Sequence, residues 1–229
     1  MEETAVATTT SPESVGGILG LINQLVIFVQ EGGIFMYVIL VVWGIGIAIC
    51  FERYRKLKQL DVDGPSFMNE LQRYILSNDI QGAIRVCSGS VAALAKVLKS
   101  GLKRASQNPE QVQNAIDATA LEVIPKIELR LNYLSLVANV STLFGLLGTI
   151  QGLIQSFAAV GAADPEQKAE ILSIGIAVAM NTTALGLFSA ITIMVSHSLL
   201  GAKAEKIIGE IDEFSVKLID MLGTKKENK

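Results

Sequence analysis

The chain has 229 residues, 50% of them hydrophobic and 18% charged, with a net charge of −3 and a mean hydropathy of +0.46. That apolarity excludes a disordered chain, the acidic balance disfavours a nucleic-acid binder, and two cysteines are too few for a secreted disulfide scaffold. The charges are also unevenly spread: 34–51, 131–160 and 171–200 contain no Asp, Glu, Lys or Arg.

Residues 1–31 form an expected extracytoplasmic segment. Residues 1–33 carry four acids and no base, so nothing basic holds this end inside or marks a secretory leader. Ser14 to Gln30 is apolar but broken by Asn23, Gln24 and glycines, which predicts an interfacial helix, not a crossing. Residues 32–51, fenced by Glu31 and Glu52, supply the roughly 20 apolar positions that a ~30 Å hydrocarbon core demands. Trp43 and its Val, Ile and Leu neighbours leave no polar face, so this is a membrane helix and not a core helix of a soluble bundle.

Residues 52–130 carry 12 bases and 9 acids and read as a helical cytoplasmic domain. Asp63-Gly64-Pro65 marks a turn, and Phe67, Leu71, Tyr74 and Ile75 then recur at helical spacing. Asn78-Asp79 caps a helix holding Ala83, Ile84 and Val86, and another runs from Ala92 to Leu102. Asn108-Pro109-Glu110 opens a helix expected to continue into the second span, kinked or loosened at Pro125.

The second and third spans are expected over 131–161 and 171–202, joined by a short acidic periplasmic loop over 162–170. Runs of this length make helices about 45 Å long, so they tilt or continue into water. A cytoplasmic helix and tail over 203–229 close the chain. Arg53, Arg55, Lys56 and Lys58 after the first span, with Lys126 and Arg130 before the second, place 52–130 and the C-terminus in the cytoplasm and the N-terminus outside.

The available chemistry is sparse. Cys50 and Cys87 have no partner pattern for a disulfide or a metal, and the single histidine, His197, rules out a His-based cluster and reads as an interfacial polar residue. There is no phosphate-binding G-x-x-x-x-G-K-[ST] loop, so an energised process here draws on something other than ATP bound that way. No catalytic constellation and no cofactor are expected.

Inside the long spans the small residues are periodic. Gly145, Gly148, Thr149, Gly152 and Ser156 form one stripe; Gly175, Ala179 and Thr183, then Gly186 and Ala190, form another. Such stripes let helix backbones approach closely in lipid. Asn181, Thr182 and Thr183 add hydrogen-bonding side chains near mid-membrane. A membrane threonine usually bonds a carbonyl one turn back. Thr149 and Thr183, each on a small-residue stripe, stand equally well as packing residues or as part of an ion path.

Phe144-Gly145-Leu146-Leu147-Gly148-Thr149-Ile150-Gln151-Gly152 resembles the GLLGTxxG motif of the MotA/TolQ/ExbB ion-driven motor family. Gly175-Ile176-Ala177, with Thr182-Thr183-Ala184-Leu185-Gly186-Leu187, is similar to that family's third-span motif. The Glu52-Arg53 pair and the segment from Asn78 to Cys87 fit as well, so the likeness runs from about residue 30 to 200, with the three-span TolQ/ExbB branch nearest in topology. It departs at three places: Val178 stands where many relatives carry Glu, Thr192 replaces a proline, and Thr142 replaces another.

The resemblance implies an all-α integral membrane protein of the bacterial inner membrane. It implies a homopentamer enclosing a dimer of a single-span ExbD-, TolR- or MotB-like partner that carries a membrane Asp. Flow of protons or sodium ions through that assembly would energise an envelope process such as transport, envelope maintenance or gliding. It makes Thr149 and Thr183 pore threonines, with Asn181 and Thr182 beside the ion path and Gly145, Gly148, Gly152, Gly175 and Gly186 packing the helices. The alternative is a non-conducting oligomeric scaffold. A self-contained transporter is disfavoured, because three spans without inverted repeats or broken helices do not build a usual transport site.

Overall fold

A computed structural model describes residues 28–30 and 32–227. The architecture is all-helical among the described residues, in the order α1 (Gly33–Leu60), α2 (Gly64–Leu76), α3 (Ile80–Gly89), α4 (Ala93–Leu102), α5 (Pro109–Glu128), α6 (Leu131–Ala162) and α7 (Lys168–Glu227). Of the expected interfacial helix over 14–30, residues 28–30 are helical and the rest lie outside the described residues. Three helical stretches, containing α1, α6 and α7, are long and apolar enough to cross a membrane. Their outer faces are apolar too: Leu143, Ile154 and Phe157 on α6, and Ile174, Met180 and Ile191 on α7, are all exposed. That inverts the pattern of a water-soluble surface and suits lipid or neighbouring subunits.

The chain divides into two compact units, one formed by the chain up to Val41 with Ser141–Phe188, the other by Val42–Val140 with Ser189–Lys229. The second contains the water-facing core. Phe67, Met68, Leu71 and Ile75 of α2 recur at helical spacing and are buried, with Ala83 and Cys87 of α3 and almost the whole of α4. Ala204, Ile207, Ile211, Phe214, Leu218 and Leu222 of α7 keep the same three-and-four rhythm and complete that core. Local sequence sets the helix starts. Asp79 caps α3 by accepting from the Gly82 amide at 2.8 Å, and Pro109 follows the Asn108 N-cap of α5. Both cysteines are free, and burial pushes the Cys87 thiol up to about 11, which leaves it an inert core residue.

One boundary agrees with the sequence expectation and one differs. The third span and the helix expected after residue 202 are one element: α7 continues unbroken through Ala202-Lys203-Ala204-Glu205-Lys206, a run of strong helix formers. The helix opened at Pro109 does not run into the second span. It passes through Pro125 and stops at Glu128, and Leu129 and Arg130 form a turn in which Arg130 takes a left-handed φ of 63°. The cause is Arg53. Its guanidinium, only 1% exposed, donates to the carbonyls of Lys126 at 3.1 Å and Ile127 at 2.6 Å. Those carbonyls would otherwise accept from the amides of Arg130 and Leu131 to prolong the helix. The cation at the C-terminal end of α5 also complements the helix dipole. Glu52 pairs with Arg130 at 2.6 Å and holds the turn from the other side.

Arg53→Ala therefore removes two charge-assisted hydrogen bonds and leaves buried carbonyls unpaired. We expect a loss of about 2–3 kcal/mol of stability, read as a lower unfolding midpoint in detergent. Arg53→Lys should recover only part of it, since both bonds leave one terminal nitrogen, Nη2, and the shorter lysine side chain does not reach as far. A midpoint equal to that of the unaltered protein in Arg53→Ala would refute the clamp.

Candidate functional site

The small-residue stripes of α6 and α7 meet within the first compact unit, and the approach is backbone on backbone. A methyl group on Gly186 would lie 2.9 Å from both the Gly145 Cα and the Ser141 carbonyl oxygen. One on Gly145 would lie 3.2 Å from the Gly186 Cα and 3.3 Å from that of Thr183. One on Gly152 would lie 3.0 Å from the Ala179 Cβ, while Gly148 and Gly175 leave no room against Thr182 and Ser156. The five glycines read as packing residues thus sit on one seam.

This approach brings two hydroxyls together. Thr183 Oγ1 donates to the Gly145 carbonyl at 3.0 Å and lies 3.3 Å from Thr149 Oγ1, which itself donates to the Leu146 carbonyl at 2.6 Å. Both residues are half-buried. Each hydroxyl has one proton to give and two lone pairs. With both protons directed to backbone carbonyls, the pair presents oxygen lone pairs. Such a pair can ligate a small cation or accept from a protonated carboxyl group.

The other two sequence candidates are not part of this pair. Thr182 is 1% exposed, and its hydroxyl lies 3.0 Å from the Gly32 carbonyl and 2.9 Å from that of Val178. It ties the residue before α1 to α7. Asn181 is half-buried and is brought to neither threonine by a hydrogen bond. Ser156, also buried, donates to the Gly152 carbonyl at 2.7 Å. No group of three or more His, Cys, Asp or Glu side chains poised for a metal occurs among the described residues.

Two contacts were not legible from motif matching. The Trp43 indole donates to Thr192 Oγ1 at 2.9 Å, an acceptor that a proline in that position does not provide, and Thr192 donates onward to the Ser189 carbonyl at 2.8 Å. Arg53 was visible in sequence as one of a run of bases and as half of the Glu52-Arg53 pair, without its partners on α5.

Comparison with known proteins follows this geometry. The family model of the MotA/TolQ/ExbB proton channel family matches residues 90–213. A biopolymer transport ExbB homologue of Methanothermobacter thermautotrophicus is 26% identical over 185 residues, 80% of this chain and 65% of that protein. The Tol-Pal system protein TolQ of Pseudomonas aeruginosa is 28% identical over 136 residues, 54% of this chain and 58% of that protein. The TolQ of Haemophilus influenzae is 34% identical over 96 residues, 40% of this chain and 42% of that protein. The matched stretch thus spans less than two thirds of the length of each of these relatives.

Proposed function

The chain belongs to the MotA/TolQ/ExbB proton channel family, and on that premise we propose that it is a subunit of an ion-driven motor of the bacterial inner membrane. In this reading five copies surround a dimer of a single-span partner, and the second and third spans line the cavity between them. The N-terminus is periplasmic, and 52–130 and the C-terminus are cytoplasmic, following the bases after the first span and before the second. Protons or sodium ions pass along the cavity, and the partner carries the resulting work to an envelope process such as transport, envelope maintenance or gliding.

The observation that carries the proposal is the pairing of Thr149 with Thr183 at 3.3 Å on the glycine seam. Packing alone asks for small residues, whereas two adjacent hydroxyls with free lone pairs add a polar spot in a region without charges. The competing scaffold reading has its own support: both hydroxyls donate to carbonyls, as purely structural threonines do.

Thr149→Val and Thr183→Val, alone and together, separate the two readings. Valine keeps the branched shape and removes the hydroxyl. We expect the double variant to assemble in normal yield, with partner-dependent output reduced at least tenfold, a change of about 1.4 kcal/mol or more, from the upper end of the range for an ordinary hydrogen bond into that for bonds to charged groups. Undiminished output from the double variant would assign both residues to packing.

A further inference from the structure

A second feature lies on the outer face of α1 at its basic end. Ile47, Cys50, Phe51 and Tyr54 of α1, with Ser196, Leu199 and Leu200 of α7, line an open groove of about 370 Å³. Phe51 and Leu199 are 62% and 69% exposed, so no described residue covers the groove. The Ser196 proton is given to the Thr192 carbonyl at 2.8 Å, which leaves the floor poor in donors. The groove is therefore suited to hydrocarbon rather than to a polar ligand.

The same helix face then turns cationic. Tyr54 and Arg55 lie three and four residues after Phe51, and Lys58 lies four and three residues after them, so two bases continue the stripe that lines the groove. The Arg55 guanidinium sits over the Phe51 ring, 5.7 Å from its centroid, which puts a positive charge at the mouth. Nearby acids are already taken: Glu52 by Arg130, and Asp61 by Lys203 with Lys206 beside it. Among the described residues neither Arg55 nor Lys58 lies in an ion pair with a carboxylate.

We propose that this groove binds an anionic phospholipid, with an acyl chain along Ile47, Phe51 and Leu199 and the headgroup phosphate held by Arg55 and Lys58. The apolar groove and the cations at its mouth match the two ends of such a lipid, and each unpaired base near the surface favours an anionic headgroup about fivefold. The proposal rests on α1 as a membrane span and is independent of which ion or partner the protein uses.

Trp43 is the single tryptophan of the sequence, one helical turn before Ile47, and reports on lipid at the groove. The full chain is reconstituted into phosphatidylcholine vesicles containing a minor fraction of either brominated phosphatidylglycerol or brominated phosphatidylcholine. Brominated phosphatidylglycerol should quench Trp43 at the lower mole fraction. Arg55→Gln with Lys58→Gln should abolish that advantage, with a loss of roughly fivefold per charge removed. Both side chains are exposed, so the fold is expected to survive. Ser196→Phe, which fills the groove, should weaken quenching by both lipids. Equal quenching by the two lipids in the unaltered protein, or a phosphatidylglycerol advantage that survives loss of both cations, overturns the proposal. So does weak quenching by either lipid together with a smaller oligomer in Ser196→Phe, the result expected if a second copy of the chain covers the groove.

Discussion

Gly186→Leu will part α6 from α7 and yield a chain that no longer assembles. The three atoms nearest to a Cβ at this position all belong to backbone: the Gly145 Cα, the Ser141 carbonyl oxygen and, at 3.3 Å, the Gly145 nitrogen. A flexible neighbour can swing away, but a helix backbone moves only as a whole. Even Gly186→Ala should cost about 1–3 kcal/mol by overpacking, and leucine considerably more. The loss reaches beyond stability, because the same close approach holds Thr183 Oγ1 at 3.0 Å from the Gly145 carbonyl and beside Thr149. Gly44 and Gly201 are the controls, since a Cβ on either meets nothing within 4 Å. Alanine there should be neutral or slightly stabilising in mid-helix. Size-exclusion profiles and unfolding midpoints of the three alanine variants should rank Gly186→Ala far below the other two. Equal behaviour of all three would remove the seam as the basis of the site.

Ion flux should appear only when the chain is joined by the single-span partner proposed above. A proton carrier inside a membrane needs a group that is charged and neutral in turn, ordinarily an Asp, Glu or His. Residues 34–51, 131–160 and 171–200 contain no Asp, Glu, Lys or Arg, and Val178 stands where the family resemblance places a Glu in many relatives. The lone His197 lies in the last turns of the third apolar run. The threonine pair offers lone pairs, but a hydroxyl does not titrate near neutral pH. Sodium would face a similar deficit, since two neutral oxygens without an anion repay little of the cost of stripping an ion of water. The missing group is expected from the partner's membrane Asp, seated against Thr149 and Thr183. Liposomes with the chain alone, or with a partner carrying Asn in place of that Asp, should show background flux, and the intact pair flux well above it. Robust flux from the purified chain alone would reject the mechanism.

Hydropathy and turn chemistry are local properties, and what depends on them was legible in the residues. The three apolar runs, the Asp79 and Asn108 caps and the buried stripe of Phe67, Leu71 and Ile75 need no knowledge of distant neighbours. The glycine stripes were legible for the same reason, since a period of three or four is a statement about one helix face. Helix ends were less so. Pro125 is a strong local signal, yet α5 ends after it, because Arg53, 73 and 74 positions away in sequence, occupies the carbonyls of the final turn.

The sequence by itself determined an all-helical membrane chain with three apolar spans, two of them striped with small residues, and placed Thr182 and Thr183 side by side among the polar candidates. Only the tertiary structure decided between those two. Consecutive residues on an α-helix point about 100° apart, so at most one of them can face a given neighbour. The contact of Gly145 with Gly186 sets the rotation of α7 against α6, turning Thr183 to Thr149 and Thr182 to the Gly32 carbonyl. That choice lies in the packing of two helices, and no residue pattern within either helix contains it.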